Sequence, residues 1–229
     1  MAAELTGSAV RQEVARQKPD YWDEAIAYLV ERDRILRRLI PEQGAWLQPS
    51  ATPFAMLARA LLGQQVSVAT AEAAWRRLTD VCGRTPTPQA VLRQAEQDST
   101  IAGLPVRKAS YLLDLATQFA DKRIRPAAWS GMDDEAVIAE LRGVRGIGRW
   151  TAEMFLIFSQ RRPDVLPLDD PSLLKAISLH YFSGEPVSRF EAREVAQAWA
   201  PWRSVASWYL WRSLDPVVVP YQGRESRAT

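Results

Sequence analysis

Cysteine and histidine are almost absent: Cys82 and His180 stand alone among 229 residues. A single thiol excludes an internal disulfide and a cysteine-ligated iron–sulfur cluster or zinc site. A single imidazole leaves histidine zinc sites and Ser-His-Asp triads without material. His180, inside an apolar helical run, reads as a packing residue. No apolar run approaches the ~20 residues that span a bilayer. The first residues, MAAELTGSAVRQEV, carry acids and lack the apolar centre of a secretory signal. Lysine is scarce as well. Lys18, Lys108, Lys122 and Lys175 are the only four of 29 basic residues, and the other 25 are arginine. Arginine's planar fork suits phosphate. The net charge of +2 gives no overall signal, so the position of the arginines has to discriminate.

Period-two alternation is nearly missing, and helical spacing fills the chain instead. Residues 21–40 read as one helix. Thr52 caps a helix with Pro53 in its first turn and Gly63 at its end, Ser67 caps the next, and Thr87 caps a third with Pro88 at the first position. Further helices follow in RKASYLLDLATQFA, DDEAVIAELRGV, WTAEMFLIFSQ, PSLLKAISLHYF, SRFEAREVAQAWAPW and SVASWYLWRSL. An all-α fold of about ten helices is expected, with a flexible tail over 216–229 and no low-complexity linker.

The stretch ELRGVRGIGRWTAEMFL places Gly143, Gly146 and Gly148 within six residues between two helices. Glycines permit positive φ and close approach of another backbone. A tight turn into a helix start offers N–H groups and the positive dipole end to a phosphate. Arg142, Arg145, Arg149, Arg161 and Arg162 lie between 141 and 162, opposed within that span only by Glu153. A dinucleotide loop would need a preceding strand, and the pattern there is helical. An ordinary glycine-capped corner remains open. Downstream, Asp169 and Asp170 precede Pro171 and an apolar run, a normal helix start that needs only one cap.

Taken together, LRGVRGIGRWTAEMFLIF and RPDVLPLDDPSLLKA resemble the helix-hairpin-helix (HhH-GPD) DNA glycosylases, and within them the 3-methyladenine DNA glycosylase II group. LARALLGQQVSVATAEAAWRRL, GLPVRKASYLLDLA and WAPWRSVASWYLWRSL extend the resemblance over roughly residues 20–215. The resemblance implies a two-lobed all-α fold with an active-site cleft between lobes. Lobe A would hold about 20–50 plus 163–215, and lobe B about 51–162 with the hairpin at 141–153. Arg145 departs from the pattern, since the family commonly has proline there.

The implied activity is hydrolysis of the N-glycosidic bond of alkylated purines, such as 3-methyladenine and 7-methylguanine, in base excision repair by base flipping. A carboxylate near the anomeric carbon stabilises an oxocarbenium-like sugar. Cationic alkylpurines leave readily, so one aspartate suffices. The family's catalytic aspartate corresponds to Asp170, twenty residues after Trp150. Bifunctional relatives carry a lysine where Trp150 stands, so no lyase activity is expected. Trp150, Met154 and Trp211 match positions lining the base pocket, where an indole face favours a cationic base. By register Gln65 takes the wedge position that fills the gap in the duplex, with Gln64 beside it. Gly146, Gly148, Arg149, Thr151 and Arg145 are the expected phosphate contacts. The resemblance also implies a monovalent cation, Na+ or K+, held by the carbonyls of Arg142, Val144 and Ile147, and no other cofactor. The expected partner is double-stranded DNA with alkylated bases. The expected protein is a monomer, cytoplasmic and nucleoid-associated in a bacterium, with no membrane association. The alternative is a non-catalytic hairpin module that binds DNA or scaffolds repair; such a binder needs neither Asp170 nor a tryptophan pocket.

Overall fold

A computed structural model describes residues 18–41, 46–47 and 52–214. The expected tail at 216–229 and the first residues, read as lacking a signal, lie outside the described residues. Every regular element among the described residues is helical. They are α1 (Trp22–Arg32), α2 (Arg34–Leu39), α3 (Pro53–Gly63), α4 (Val68–Cys82), α5 (Pro88–Gln97), α6 (Val106–Ala120), a 3-10 turn (Pro126–Gly131), α7 (Asp134–Arg142), α8 (Arg149–Phe158), α9 (Pro171–Tyr181), α10 (Arg189–Gln197) and α11 (Arg203–Arg212). No helix among them is long and apolar enough to cross a membrane.

The caps follow local chemistry. The side chains of Thr52, Ser67 and Thr87 accept from the N–H groups of Ala55, Thr70 and Ala90, as their sequence positions require. Ser188 and Glu191 form a reciprocal capping box at α10. The run 21–40 differs from expectation, because it is two helices and not one. Asp33 breaks it with an extended backbone (φ −126°, ψ 114°) and caps α2 through the N–H groups of Ile35 and Leu36. The same buried carboxylate accepts from Tyr181 Oη (2.7 Å) and Trp199 Nε1 (2.8 Å), so tertiary partners fix the break. Helical periodicity continues across it and hides it.

The described residues divide into two compact units. One lies within Met1–Pro49 and Leu156–Gln222, the other within Ser50–Phe155. The division falls inside α8, seven residues earlier than the lobe boundary expected at 162/163. In the first unit, α1, α2 and α9–α11 enclose Trp22, Leu36, Trp199, Trp208 and Tyr209, all at most 2 % exposed. Trp22 Nε1 donates to Tyr209 Oη at 3.2 Å, so burial leaves neither polar tip orphaned. In the second unit, Leu57, Leu61, Leu112, Leu115, Trp129 and Phe155 form the centre. Phe54 meets Phe119 edge-on there at 5.3 Å, as Trp129 meets Phe155 at 5.2 Å.

Candidate functional site

In the first unit the site is built around one carboxylate. The segment after α8 is strapped to the start of α11. Arg203 holds Asp164 through two bonds of 2.7 Å, Ser204 N–H donates to Pro163 O (3.0 Å), and Val165 N–H donates to Ser204 Oγ (2.9 Å). Seven residues into that fixed loop's path, Asp170 caps α9. Its Oδ1 accepts from Leu173 N–H (2.7 Å) and from Trp211 Nε1 (2.8 Å), and the residue is only 6 % exposed. Trp211, itself buried, lies against Phe158 with nearly parallel rings (5.6 Å, 24°). Asp169 is placed differently. It is exposed, and Arg189 pairs with its Oδ1 at 2.8 Å. The adjacent acids are thus separated by environment: one is a buried, doubly held carboxylate, the other a surface ion pair.

Trp211 was expected to line a base pocket with its face. The structure gives its indole a second part, since it donates to the candidate carboxylate and aims it. Trp208 and Tyr209 are core residues.

The second unit carries the hairpin between α7 and α8. Val144 and Ile147 are buried and anchor it, while Gly148 and Arg149 are exposed. Only Gly146 uses glycine's full freedom. Its φ is +89°, and an added Cβ would sit 2.5 Å from the Tyr111 ring. Gly148 has nothing within 4 Å of where a Cβ would be, so its surface is open. Gly143 is the αR cap residue of α7. Ala152 N–H donates to Gly148 O, which makes Gly148 the residue from which α8 departs. The N–H groups of the first α8 turn therefore have no partner within the helix.

The arginines expected at phosphate are engaged within the protein. Arg149 donates to both oxygens of Glu135 and, through Nε, to Glu153 Oε1 (2.8 Å). Glu135 lies outside the span surveyed from sequence, which is why Glu153 looked like the only opposing charge. The pairing holds the Glu135 carboxyl below its usual range and the Arg149 guanidinium above its own. Arg145 is turned toward α6. Its N–H donates to Asp114 Oδ2 (2.8 Å) and its guanidinium to Ser110 O (3.2 Å). A proline at 145, as in the family pattern, could not make the first of these bonds. Thr151 is 5 % exposed, so its side chain does not face solvent. What the hairpin presents outward is Gly148 and Arg142, with Arg145 and Arg149 exposed beside them but already paired.

The α3–α4 turn separates the two glutamines. Gln64 Nε2 donates to Gly146 O at 2.8 Å, so Gln64 braces the hairpin and leaves the expected wedge pair. Gln65 is exposed with φ +56°, a left-handed conformation that a non-glycine residue adopts at a cost of about 1–3 kcal/mol. Exposed Val66 and Val68 follow it. Trp150 is half-buried, and Met154 is only 2 % exposed. Among the described residues no group of three or more His, Cys, Asp or Glu could hold a metal ion. Sequence reasoning missed Lys108, Asp114 and Gln118, which hold the α3–α4 turn and the hairpin from α6.

Residues 58–201 match the family model described as "HhH-GPD superfamily base excision DNA repair protein". The chain is 32% identical over 165 residues to DNA-3-methyladenine glycosylase 1 of Schizosaccharomyces pombe, covering 70% of this chain and 72% of that one. Another relative is longer: the match spans 45% of the Bacillus subtilis YfjP protein. Among solved structures, a DNA-3-methyladenine glycosidase from Bacillus halodurans superposes with a TM-score of 0.76 at 30% identity, covering 82% of this chain and 88% of that chain. The S. pombe 3-methyladenine DNA glycosylase Mag1, in complex with abasic DNA, superposes with a TM-score of 0.71 at 28% identity, covering 87% and 100%.

Proposed function

This chain belongs to the HhH-GPD superfamily of base excision DNA repair proteins, and we propose that it is a monofunctional DNA glycosylase that hydrolyses the N-glycosidic bond of alkylated purines. The observation that carries the reading is the carboxylate of Asp170, buried, fixed at the start of α9 and held on one oxygen by Leu173 N–H and Trp211 Nε1. A carboxylate aimed this rigidly stabilises a sugar that becomes oxocarbenium-like as the base departs, with no reorganisation at the moment of reaction. It also orients the attacking water or takes its proton. A purine alkylated at N3 or N7 leaves as a neutral base from a cationic ground state, so no general acid is required.

The two units supply separate parts. The first supplies Asp170 and the tryptophan that aims it. The second supplies Gln65 as the wedge, Trp150 and Met154 as wall residues for a cationic base, and the hairpin main chain for a phosphate. Trp150 has no amine, so no Schiff base forms at that position. A monovalent cation would be held by the carbonyls of Arg142, Val144 and Ile147. The fit rests on Arg142 being the last residue of α7, where carbonyls carry the negative end of the helix dipole. Bound there, it would add positive charge against a phosphate. The proposed partner is double-stranded DNA, met by a monomer at the bacterial nucleoid.

The test is release of free base from methylated DNA, followed by chromatography, with strand integrity read on a denaturing gel. The expected result is 3-methyladenine in solution and abasic sites in intact strands. Strand cleavage with covalent trapping by borohydride would overturn the monofunctional reading. DNA binding without any base release would favour the non-catalytic module.

A further inference from the structure

Four residues of α6 lie on one helical stripe: Lys108, Tyr111, Asp114 and Gln118, spaced three, three and four apart. All four are half-buried. The apolar set beside it, Leu112, Leu115 and Ala116, enters the core. Each stripe residue grips a neighbouring loop. Lys108 Nζ donates to three carbonyls at the end of α3, those of Leu61 (2.7 Å), Leu62 (3.1 Å) and Gln64 (2.7 Å). An ammonium there uses all three of its donors and faces the negative end of the α3 dipole. These carbonyls immediately precede Gln65, the residue in the left-handed conformation.

The other three hold the hairpin. The Tyr111 ring fills the space that only Gly146 can leave. Asp114 Oδ2 accepts from Arg145 N–H (2.8 Å) and from Gln118 Nε2 (3.1 Å), and Gln118 Nε2 also donates to Gly143 O (3.0 Å). A direct tie closes the set, from Gln64 Nε2 to Gly146 O (2.8 Å). The glutamine loop and the hairpin are therefore fastened to one rigid rod and to each other. Hydrogen bonds take the part that a proline would play at position 145.

We propose that this α6 stripe holds the Gln65 loop in register with the hairpin, and that Lys108 is the positioning residue through which a hairpin seated on the DNA backbone sets the wedge for base extrusion. The proposal rests on the reading of Gln65 as the wedge and of the hairpin as the phosphate contact. With Lys108 removed, three α3 carbonyls lose a cation and the strained Gln65 backbone is free to relax.

The experiment follows wedge insertion by stopped-flow fluorescence of 2-aminopurine beside a tetrahydrofuran abasic site in duplex DNA. Single-turnover release of 3-methyladenine from methylated DNA is measured in parallel. Lys108→Met is expected to slow both by about tenfold, the loss of one charge-assisted hydrogen-bond set. Lys108→Arg should recover most of the loss. In a Gln65→Ala background Lys108→Met should add almost nothing, because it acts through that residue. Gln118→Ala, at the hairpin end of the stripe, should also reduce the fluorescence change.

Wild-type fluorescence and release by a Lys108→Met protein with a normal melting curve would overturn the proposal. So would a loss fully additive with that of Gln65→Ala, which marks a general structural effect. Should Lys108→Met not fold, the same cycle run with Gln118→Ala decides by the same two criteria. If Gln65→Ala itself behaved as wild type, the wedge assignment would fall first and the coupling with it. If Gln65→Ala were impaired and Lys108→Met were not, the coupling alone would fall.

Discussion

Asp169 and Asp170 are chemically identical and adjacent, so what separates them is their surroundings. Asp170→Asn should keep the cap of α9, because asparagine caps as well as aspartate. It should leave the melting curve near wild type and lower base release by about a hundredfold or more, the usual cost of removing a preorganised electrostatic group. Asp169→Asn loses only an exposed pair with Arg189, and its base release should be unchanged. Chromatographic release assays on both variants check the assignment, and a dead Asp169→Asn would reverse it. Trp211→Phe keeps a ring against Phe158 but removes the donor to Asp170 Oδ1. A hydrogen bond to a charged group contributes roughly 1.5–3 kcal/mol, so the single-turnover rate should drop by about ten- to a hundredfold with little change in DNA affinity.

At the scale of an element, the hairpin makes two contrasting glycine predictions. Gly146→Ala meets both a positive φ and the Tyr111 ring at 2.5 Å. It should lower thermal stability and weaken DNA binding together. Gly148→Ala meets nothing within the protein, so it should melt like wild type while still weakening binding if phosphate approaches the main chain there. Equal melting curves for the two variants would contradict the geometry. Arg149 supplies a third test. Each phosphate neutralised by a free cation steepens the log–log dependence of affinity on salt by about 0.9. Arg149 is already shared between Glu135 and Glu153. Arg149→Ala should therefore flatten the slope by clearly less than that amount, in binding isotherms across a salt series.

For the whole molecule, stability should depend on pH through His180. Burial first, then the nearby Arg38, holds its imidazole below the ordinary value of 6.5. The unfolded chain takes up the proton more readily than the fold does. The neutral histidine's share of stability is thus complete above that value and is lost as pH falls below it. Melting temperatures of wild type and His180→Gln, compared from pH 7.5 to 5.5, should show a steeper fall for wild type; parallel curves would remove His180 from the linkage.

Helix caps and the Gly-rich hairpin were legible because their chemistry is local. Thr52, Ser67, Thr87 and Asp170 each cap the helix that follows within three residues. Other contacts lie far apart in the chain. The bond from Trp211 to Asp170 joins residues 41 positions apart, and Arg145 meets Asp114 across 31. No spacing rule reaches that far, so the same sequence left Arg149 looking like a free cation and Gln64 like half of a wedge. By itself the sequence determined most of the helices, the caps at Thr52, Ser67, Thr87 and Asp170, the hairpin turn and the pair of acids, since each depends on neighbours within about one turn. The tertiary structure alone decided which acid is buried, which arginines are already paired and what holds the glutamine loop. Hydrogen bonds and charge pairs form wherever packing brings donors to acceptors, and packing is a property of the folded chain.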